Sequence, residues 1–290
     1  MKILLTGAQG QMGWAIAQRA GKHELIALDR TALDITQSGQ VQRILEASAA
    51  ELVINAAAYT AVDKAEQEPL AAFAANRDGP AQLARACDRL GIPLLHLSSD
   101  YVFDGAQTGP YCETDPPSPH GVYAQSKWQG EEAVRQRLSA HIILRVSWVF
   151  GEHGRNFVKT ILRLAGEREQ LRVVADQWGC PTYAGDIADA LLLLVDRFAR
   201  DAALPWGTYH YCGWPPTTWH GFAQAIVEGG RGYEPLRARE VVAISTVEYP
   251  TPAPRPANSI LDCRRGIVEL GLQPCPWSAG LRTVLDAIYH

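Results

Sequence analysis

Met1-Lys2-Ile3-Leu4-Leu5-Thr6-Gly7-Ala8-Gln9-Gly10-Gln11-Met12-Gly13 opens the chain, and Trp14 to Ala20 follows with helical spacing. A short apolar run, a glycine turn and a helix stand in the order a dinucleotide site requires. The glycines allow a tight turn, let backbone approach a pyrophosphate, and let helix pack closely on strand, while the helix amino terminus favours the anion. An ordinary glycine turn would need none of this order, so Gly7, Gly10 and Gly13 are assigned to a cofactor. The spacing is G-x-x-G-x-x-G rather than the G-x-G opening of many dehydrogenases.

The apolar runs that follow carry the same theme. Glu24 to Leu28 reads as a second strand ending at Asp29-Arg30. An acid there would hold an adenosine ribose hydroxyl, whereas a neighbouring arginine receives a 2′-phosphate, so the pair points both ways. Asp34-Ile35 begins the next loop and helix. Leu52 to Asn55 is a third buried strand running into Ala56-Ala57-Ala58-Tyr59-Thr60, where small residues admit a cofactor to the backbone or simply pack. A helical segment from about Glu68 to Leu90 ends at Gly91-Ile92-Pro93, and Leu94 to Leu97 is a fourth strand. Strands that alternate with helices predict parallel pairing in a doubly wound α/β sheet, with ligands beyond the strands' carboxyl ends. Ser99 and Asp100 leave their strand at that edge, as do Gly7 and Ala57.

Tyr123-Ala124-Gln125-Ser126-Lys127 then places a phenol and an ammonium four residues apart on one helix face, roughly 5 to 6 Å apart at Cβ. A free phenol has a pKa of ~10, and an adjacent cation lowers it, so Tyr123 is read as a residue able to exchange a proton with a substrate oxygen. Ser99 supplies a hydroxyl for the same oxygen. Such a pair also arises by chance, and the surrounding pattern is what raises it above that.

Beyond the strand Ile142 to Val146 the pattern changes. Helices over 156–166 and 186–197, short strands over 171–174 and 206–213, a turn at Gly179-Cys180-Pro181-Thr182 and a proline-dense loop, Tyr249 to Pro256, suit a smaller mixed α/β lobe covering the cleft. Residues 1–147 are therefore assigned to dinucleotide binding, with 183–200 packing back on them, and 148–290 mainly to the substrate lobe. Trp148 and Trp178 are candidates to pack against a base or sugar. Arg255, in the stiff loop, has the shape to face a diphosphate.

Composition narrows the rest. With 27 Lys and Arg against 31 Asp and Glu, a net charge of −4 offers no basic excess for a phosphate backbone, so nucleic acid is not expected. The first apolar run is too short for a signal peptide and no later one approaches a membrane span. Six cysteines without paired short spacings suggest neither a zinc site nor a disulfide framework, and reduced thiols fit a cytoplasmic protein.

Taken together, Gly7, Gly10, Gly13 and the Ser99, Tyr123, Lys127 set resemble the extended short-chain dehydrogenase/reductase superfamily and its Rossmann fold. Longer blocks narrow the resemblance: Asn55 to Glu66, Ser99 to Gly105, Arg145 to Phe150, Asp176 to Thr182 and Arg255 to Ser259 are similar to the dTDP-4-dehydrorhamnose reductase family. That resemblance implies reduction of the C4 ketone of dTDP-4-dehydro-β-L-rhamnose to dTDP-L-rhamnose with NADPH, or NADH, in the cytoplasm. Tyr123 would donate the proton, Lys127 would hold the nicotinamide ribose and lower the phenol's pKa, and Ser99 would bind the carbonyl. It also implies cofactor contacts at Gly10, Gln11, Met12, Asp29, Asp34, Ile35, Ala58, Tyr59 and Thr60, and substrate contacts at Ser99, Asp100 and Trp148; Arg30 and Ala57 are further candidates for the cofactor, and Tyr101 and Arg255 for the substrate. Some members hold magnesium between subunits. Gly185 and the Ala287-Ile288-Tyr289-His290 end occupy the corresponding regions here, so no metal is expected, and the chain is expected to be a monomer or weak homodimer. Two other functions use similar machinery: a nucleotide-sugar 4-epimerase, and a non-catalytic NADP-binding regulatory subunit, which needs no proton donor. A dehydratase is disfavoured because Tyr101 stands where that class carries glutamate.

Overall fold

The computed structural model describes residues 1–290. In the first half the elements are β1 (Lys2–Thr6), α1 (Gln11–Arg19), β2 (Glu24–Leu28), α2 (Ser38–Ser48), β3 (Leu52–Asn55), α3 (Val62–Ala65), α4 (Pro69–Phe73), α5 (Gly79–Leu90), β4 (Leu94–Ser99), α6 (Val122–Arg135) and β5 (His141–Val146). In the second half come β6 (Val149–Phe150), α7 (Phe157–Glu167), β7 (Gln170–Val174), β8 (Trp178–Gly179), β9 (Thr182–Tyr183), α8 (Ala184–Asp201), β10 (Gly207–Tyr211), β11 (Thr217–Thr218), α9 (Trp219–Arg231), β12 (Glu240–Ile244) and α10 (Trp277–Tyr289).

Six strands form one parallel sheet in the order β10-β5-β4-β3-β1-β2. Successive side chains leave a strand on opposite faces, and both faces of this sheet are covered, which is why its strands read as continuous apolar runs. Ile3 and Leu5 face α1 and α8 together with Ile54, Leu95, Leu144 and Leu191. Leu4 faces the other way, into a core with Val53, Leu83, Val134 and Ile143 under α2, α5 and α6. The chain order reverses at β1, whose neighbours are β2 and β3, so the carboxyl ends of β1 and β3 flank the crevice where doubly wound sheets bind ligands.

The assignment of 148–290 mainly to a separate lobe needs one correction. Residues 207–211 are the edge strand of the main sheet, paired in parallel with β5 from Gly207 opposite Ile142 to Tyr211 opposite Val146. The chain therefore returns to the sheet twice after residue 147, through α8 against α1 and through β10. The remaining elements form a lobe with its own core of Phe150, Val158, Leu171, Phe222, Leu281 and Val284. Asn156 and Thr218 cap α7 and α9, accepting hydrogen bonds from the amides of Lys159 and Gly221 at 3.2 and 3.0 Å. No helix is long and apolar enough to cross a membrane.

The helix expected over 68–90 is interrupted. Between α4 and α5 a π-helical turn spans Ala74–Asp78. Such a turn inserts a residue and re-aims side chains, and the residue in it is Asn76, fully buried, whose partners belong to the functional site.

Candidate active site

The cofactor cradle begins where β1 ends. Gly7 has φ +68°, and a Cβ there would lie 2.7 Å from the Ala57 backbone. At Gly13 a Cβ would come within 2.1 Å of the Gly7 carbonyl oxygen. The turn therefore closes only without side chains, and it puts the amino end of α1 at the crevice. Beneath it, a buried polar chain ties three strand ends together. Thr6 donates to Asn55 Oδ1 at 2.6 Å, the Ala57 amide donates to the same oxygen at 3.1 Å, and Asn55 Nδ2 lies 2.9 Å from His96 Nδ1.

Beside this turn lies a cavity of about 520 Å³. Gly7, Gly10, Asp29, Arg30, Asp34, Ile35, Ala57, Ala58 and Tyr59 all line it. Glycine backbone, an acid at the end of β2 and a wall of alanines fit a dinucleotide. Gln11, Met12, Gly13 and Thr60 lie outside its walls. Gln11 instead donates to the Val149 carbonyl at 3.1 Å, joining α1 to the second lobe, Met12 packs on the sheet core, and Thr60 is exposed. Asp29 accepts the amides of Thr31 and Ala32, both at 2.9 Å, and the Gln9 amide at 2.5 Å, so its carboxylate is fixed at the cavity edge. Arg30 is 87% exposed and reaches only Asp34, at 3.6 Å, which leaves it able to turn to an anion.

Asn76 joins cofactor cradle to catalytic helix. Its Oδ1 accepts the Tyr59 amide at 2.8 Å, and its Nδ2 donates to the Tyr59 carbonyl and to Ser126 Oγ at 2.9 and 3.0 Å. The loop after β3 is thereby held against α6, which carries Tyr123 and Lys127 on the side facing β4. The amino end of α6 is capped from outside: Glu66 Oε1 accepts the Val122 amide at 2.8 Å, a carboxylate where the helix dipole favours one.

Ser99, the last residue of β4, donates to Asp100 Oδ1 at 2.9 Å, and Ser147 donates to Asp100 Oδ2 at 3.0 Å. Asp100 is 3% exposed, and burial lifts its carboxyl to about 6 against the hydrogen bonds from Ser99 and Ser147. Expected as a substrate contact, Asp100 is turned inward and orients Ser99 instead. Tyr101 packs edge-on against Tyr123, ring centroids 5.7 Å apart.

The phenol and the ammonium behave differently from the sequence expectation. Lys127 is 3% exposed and donates to the Leu97 carbonyl at 2.7 Å. Burial lowers its pKa to about 8, with the Glu131 carboxylate pulling the other way. Tyr123 remains partly accessible, but its enclosed position pushes the phenol up to about 12, opposed by the Ser99 hydroxyl. Burial rather than the ammonium sets the direction of the phenol's shift, and Lys127 turns its proton to the strand. Glu131 is the partner the sequence reading missed. It is fully buried, and Arg145 engages both its oxygens at 2.9 and 2.7 Å while Ser98 and Arg135 each add a bond of 2.5 Å. Arg145 holds the carboxyl at about 2 despite its burial. An arginine inside an apolar strand was the available signal, since a charge buried there requires a partner.

Across the crevice, Trp148 occupies the left-handed region at φ 44°, which is costly for a bulky residue and sustained by its surroundings. Its ring stacks on Trp219 at 3.5 Å, its Nε1 donates to Ser259 at 3.1 Å, and Gly179 leaves room for it. Trp178 is 49% exposed. Arg255 does not stand free for a diphosphate: it pairs with Asp63 at 2.8 Å and donates to the Ala253 carbonyl at 3.0 Å, pinning the proline-dense loop to α3. Gly185, at the place of the magnesium ligand, has no oxygen side chain, and a Cβ there would meet the Tyr183 ring and Arg19. The residues at that position do not fit the ion.

A parallel sheet wound on both sides, a glycine cradle at its switch point and a Ser, Tyr, Lys set beyond the next strand define an extended short-chain dehydrogenase/reductase. A family model described as the RmlD substrate binding domain matches residues 1–290. A dTDP-4-dehydrorhamnose reductase of Aggregatibacter actinomycetemcomitans is 44% identical, with 98% of each chain covered. The crystal structure of a dTDP-4-dehydrorhamnose reductase from Clostridium acetobutylicum superposes with a TM-score of 0.93 at 34% identity over 100% of both chains. One from Bacillus anthracis, solved in complex with NADP, superposes with a TM-score of 0.89 at 33% identity over 98% of both. The chain belongs to the dTDP-4-dehydrorhamnose reductase family.

Proposed function

We propose that this chain reduces the C4 ketone of dTDP-4-dehydro-β-L-rhamnose, giving dTDP-L-rhamnose, with Tyr123 as the proton donor. The observation that carries the reading is the convergence of Ser99, Tyr123 and the buried Lys127 at the carboxyl edge of the sheet beside the glycine cradle. NADPH, when bound, supplies the hydride. The exposed Arg30 suits its 2′-phosphate, and Asp29, Ala57, Ala58 and Tyr59 would line its adenosine half. Ser99, whose hydroxyl proton goes to Asp100 in the structure, would turn that proton to the ketone oxygen when substrate is bound. Tyr123, with a pKa near 12, is fully protonated at neutral pH and gives its proton as negative charge grows on that oxygen. Lys127 offers a cation at the base of the site. Tyr101, Trp148 and Arg255 border the sugar-nucleotide side, with Arg255 exchanging Asp63 for diphosphate. The protein works in the cytoplasm as a monomer or weak homodimer, without nucleic acid or membrane partners.

The test is incubation with dTDP-4-dehydro-β-L-rhamnose and NADPH, following absorbance loss and product identity. One cofactor consumed per sugar is expected. An epimerase would leave the cofactor level unchanged, and a regulatory subunit would bind NADPH without turnover; either result overturns the reading. Tyr123→Phe is expected to lower kcat by 10²–10⁴-fold with NADPH affinity retained, and unchanged turnover would remove Tyr123 from the mechanism.

A further inference from the structure

Three of the six cysteines, remote in sequence, meet beside Val102 and Phe103, beyond the carboxyl end of β10. Cys180 lies between β8 and β9, Cys212 directly follows β10, and Cys263 follows the segment that carries Ser259. The Cys212 and Cys263 sulfurs are 3.6 Å apart, and both face the Leu261 carbonyl, at 3.5 and 3.9 Å. A cavity of about 590 Å³, whose walls include Cys112, Cys180, Cys212, Cys263 and Trp214, opens onto them. Cys212 and Cys180 are buried, whereas Cys263 is half-buried and meets solvent first. A disulfide needs sulfurs about 2.05 Å apart, a closure of roughly 1.5 Å from the present contact.

We infer that Cys212 and Cys263 form a reversible redox pair that a peroxide oxidises to an intramolecular disulfide. The cavity gives a small oxidant access to a sulfur whose neighbour is already in contact, the arrangement in which a sulfenic acid is resolved rather than oxidised further. The Cys263 thiolate attacks one oxygen of hydrogen peroxide, the O–O bond breaks, and the departing hydroxide takes up the thiol's proton and leaves as water. The Cys212 sulfur then attacks the sulfenic sulfur, the S–O bond breaks, and the hydroxide leaves as water with the Cys212 proton. Two thiols and one peroxide become one disulfide and two waters. The bond would tie the end of β10 to the segment that positions Ser259 under Trp148.

The experiment treats the fully reduced, full-length protein with graded hydrogen peroxide, alkylates remaining thiols and maps peptides without reduction. The expected result is a peptide joining Cys212 to Cys263, loss of two alkylatable thiols per chain, and their return with dithiothreitol. Cys263→Ser, a change at a half-buried position, should abolish the crosslink while Cys112 and Cys275 stay alkylatable. Cys212→Ala should leave a sulfenic acid on Cys263 that dimedone traps. The inference is overturned by a bond from Cys212 to Cys180, by intermolecular bonds alone, by Cys263 reaching sulfinic acid while Cys212 remains alkylatable, or by six thiols that persist after treatment.

Discussion

Replacing Lys127 with methionine should abolish most activity and yet make the folded protein more stable. Lys127 is 3% exposed, and its pKa falls from 10.5 to about 8 through burial. That difference corresponds to about 3 kcal/mol by which the native state disfavours the charged amine at neutral pH. Methionine fills a similar volume without charge. It forfeits the hydrogen bond to Leu97, a loss of roughly 1–2 kcal/mol, so a net gain of about 1–2 kcal/mol is expected. For a chain of this length the midpoint of thermal unfolding should rise by about 2–4 °C. The dependence on pH gives a sharper check. Below pH 8 both folded and unfolded wild type carry the proton and the full penalty applies. Between about 8 and 10.5 the folded state releases it while the unfolded state keeps it, so wild type gains on the variant by up to ~1.4 kcal/mol per pH unit. Urea unfolding of both proteins at pH 7 and pH 9.5, without ligands, reads this directly. A methionine variant less stable than wild type at pH 7, or a gap that does not narrow by pH 9.5, would refute the reasoning.

Glu131→Gln should destabilise the protein by about 3–5 kcal/mol, because it leaves the Arg145 guanidinium buried without its counter-charge; urea unfolding measures it, and a loss under 1 kcal/mol would mean that Glu131 is dispensable. Acid should weaken the fold from pH 6.5 downward through His210, fully buried and held to about 3 chiefly by desolvation. The unfolded chain takes up that proton first, so stability declines by up to ~1.4 kcal/mol per unit between 6.5 and 3, a slope that His210→Gln should reduce. Gly13→Ala should weaken NADPH binding at least tenfold, since its methyl would sit 2.1 Å from the Gly7 carbonyl oxygen and force the cradle open; calorimetric titration gives the affinity, and wild-type binding would show that the turn can yield.

The main sheet was legible because β1, β3, β4 and β5 are buried on both faces and write themselves as apolar runs between punctuating turns, while β2, at the edge, is only partly covered. Glycines at 7, 10 and 13 were legible for a steric reason the structure bears out at each close approach. The place of 207–211 was not. Gly-Thr-Tyr-His-Tyr has strand composition, but nothing in a strand's own residues says which neighbour it will pair with, and here the neighbour is more than sixty residues earlier. The π-helical turn escaped for the same kind of reason: Asn76 sits in a helical pattern, and only its three hydrogen bonds to Tyr59 and Ser126 explain the extra residue. The meeting of Cys180, Cys212 and Cys263 is likewise a product of tertiary folding, invisible to spacing.

The most informative disagreement concerns the phenol. A helix places Tyr123 and Lys127 on one face, from which the sequence reading took direct acidification of one by the other. The structure gives the ammonium a different first partner, the Leu97 carbonyl, and surrounds the phenol with groups that keep it neutral. For a reaction that must deliver a proton to an oxygen gaining negative charge, this is the useful state. A phenol lowered to neutrality would be part-ionised before the ketone arrived, and that fraction would have no proton to give. In the proposed reaction a phenol held near 12 is wholly loaded, and the alkoxide it would meet is the stronger base, so transfer would be downhill once charge develops. In the proposed mechanism Lys127 serves through its charge rather than through contact. Glu131 lies one helical turn beyond it, clamped by Arg145 and Arg135, and opposes the burial that would otherwise strip the amine of its proton. The buried ion network beneath the site is thus part of the proposed mechanism as well as of the fold: it keeps a cation where the sheet's apolar interior would exclude one.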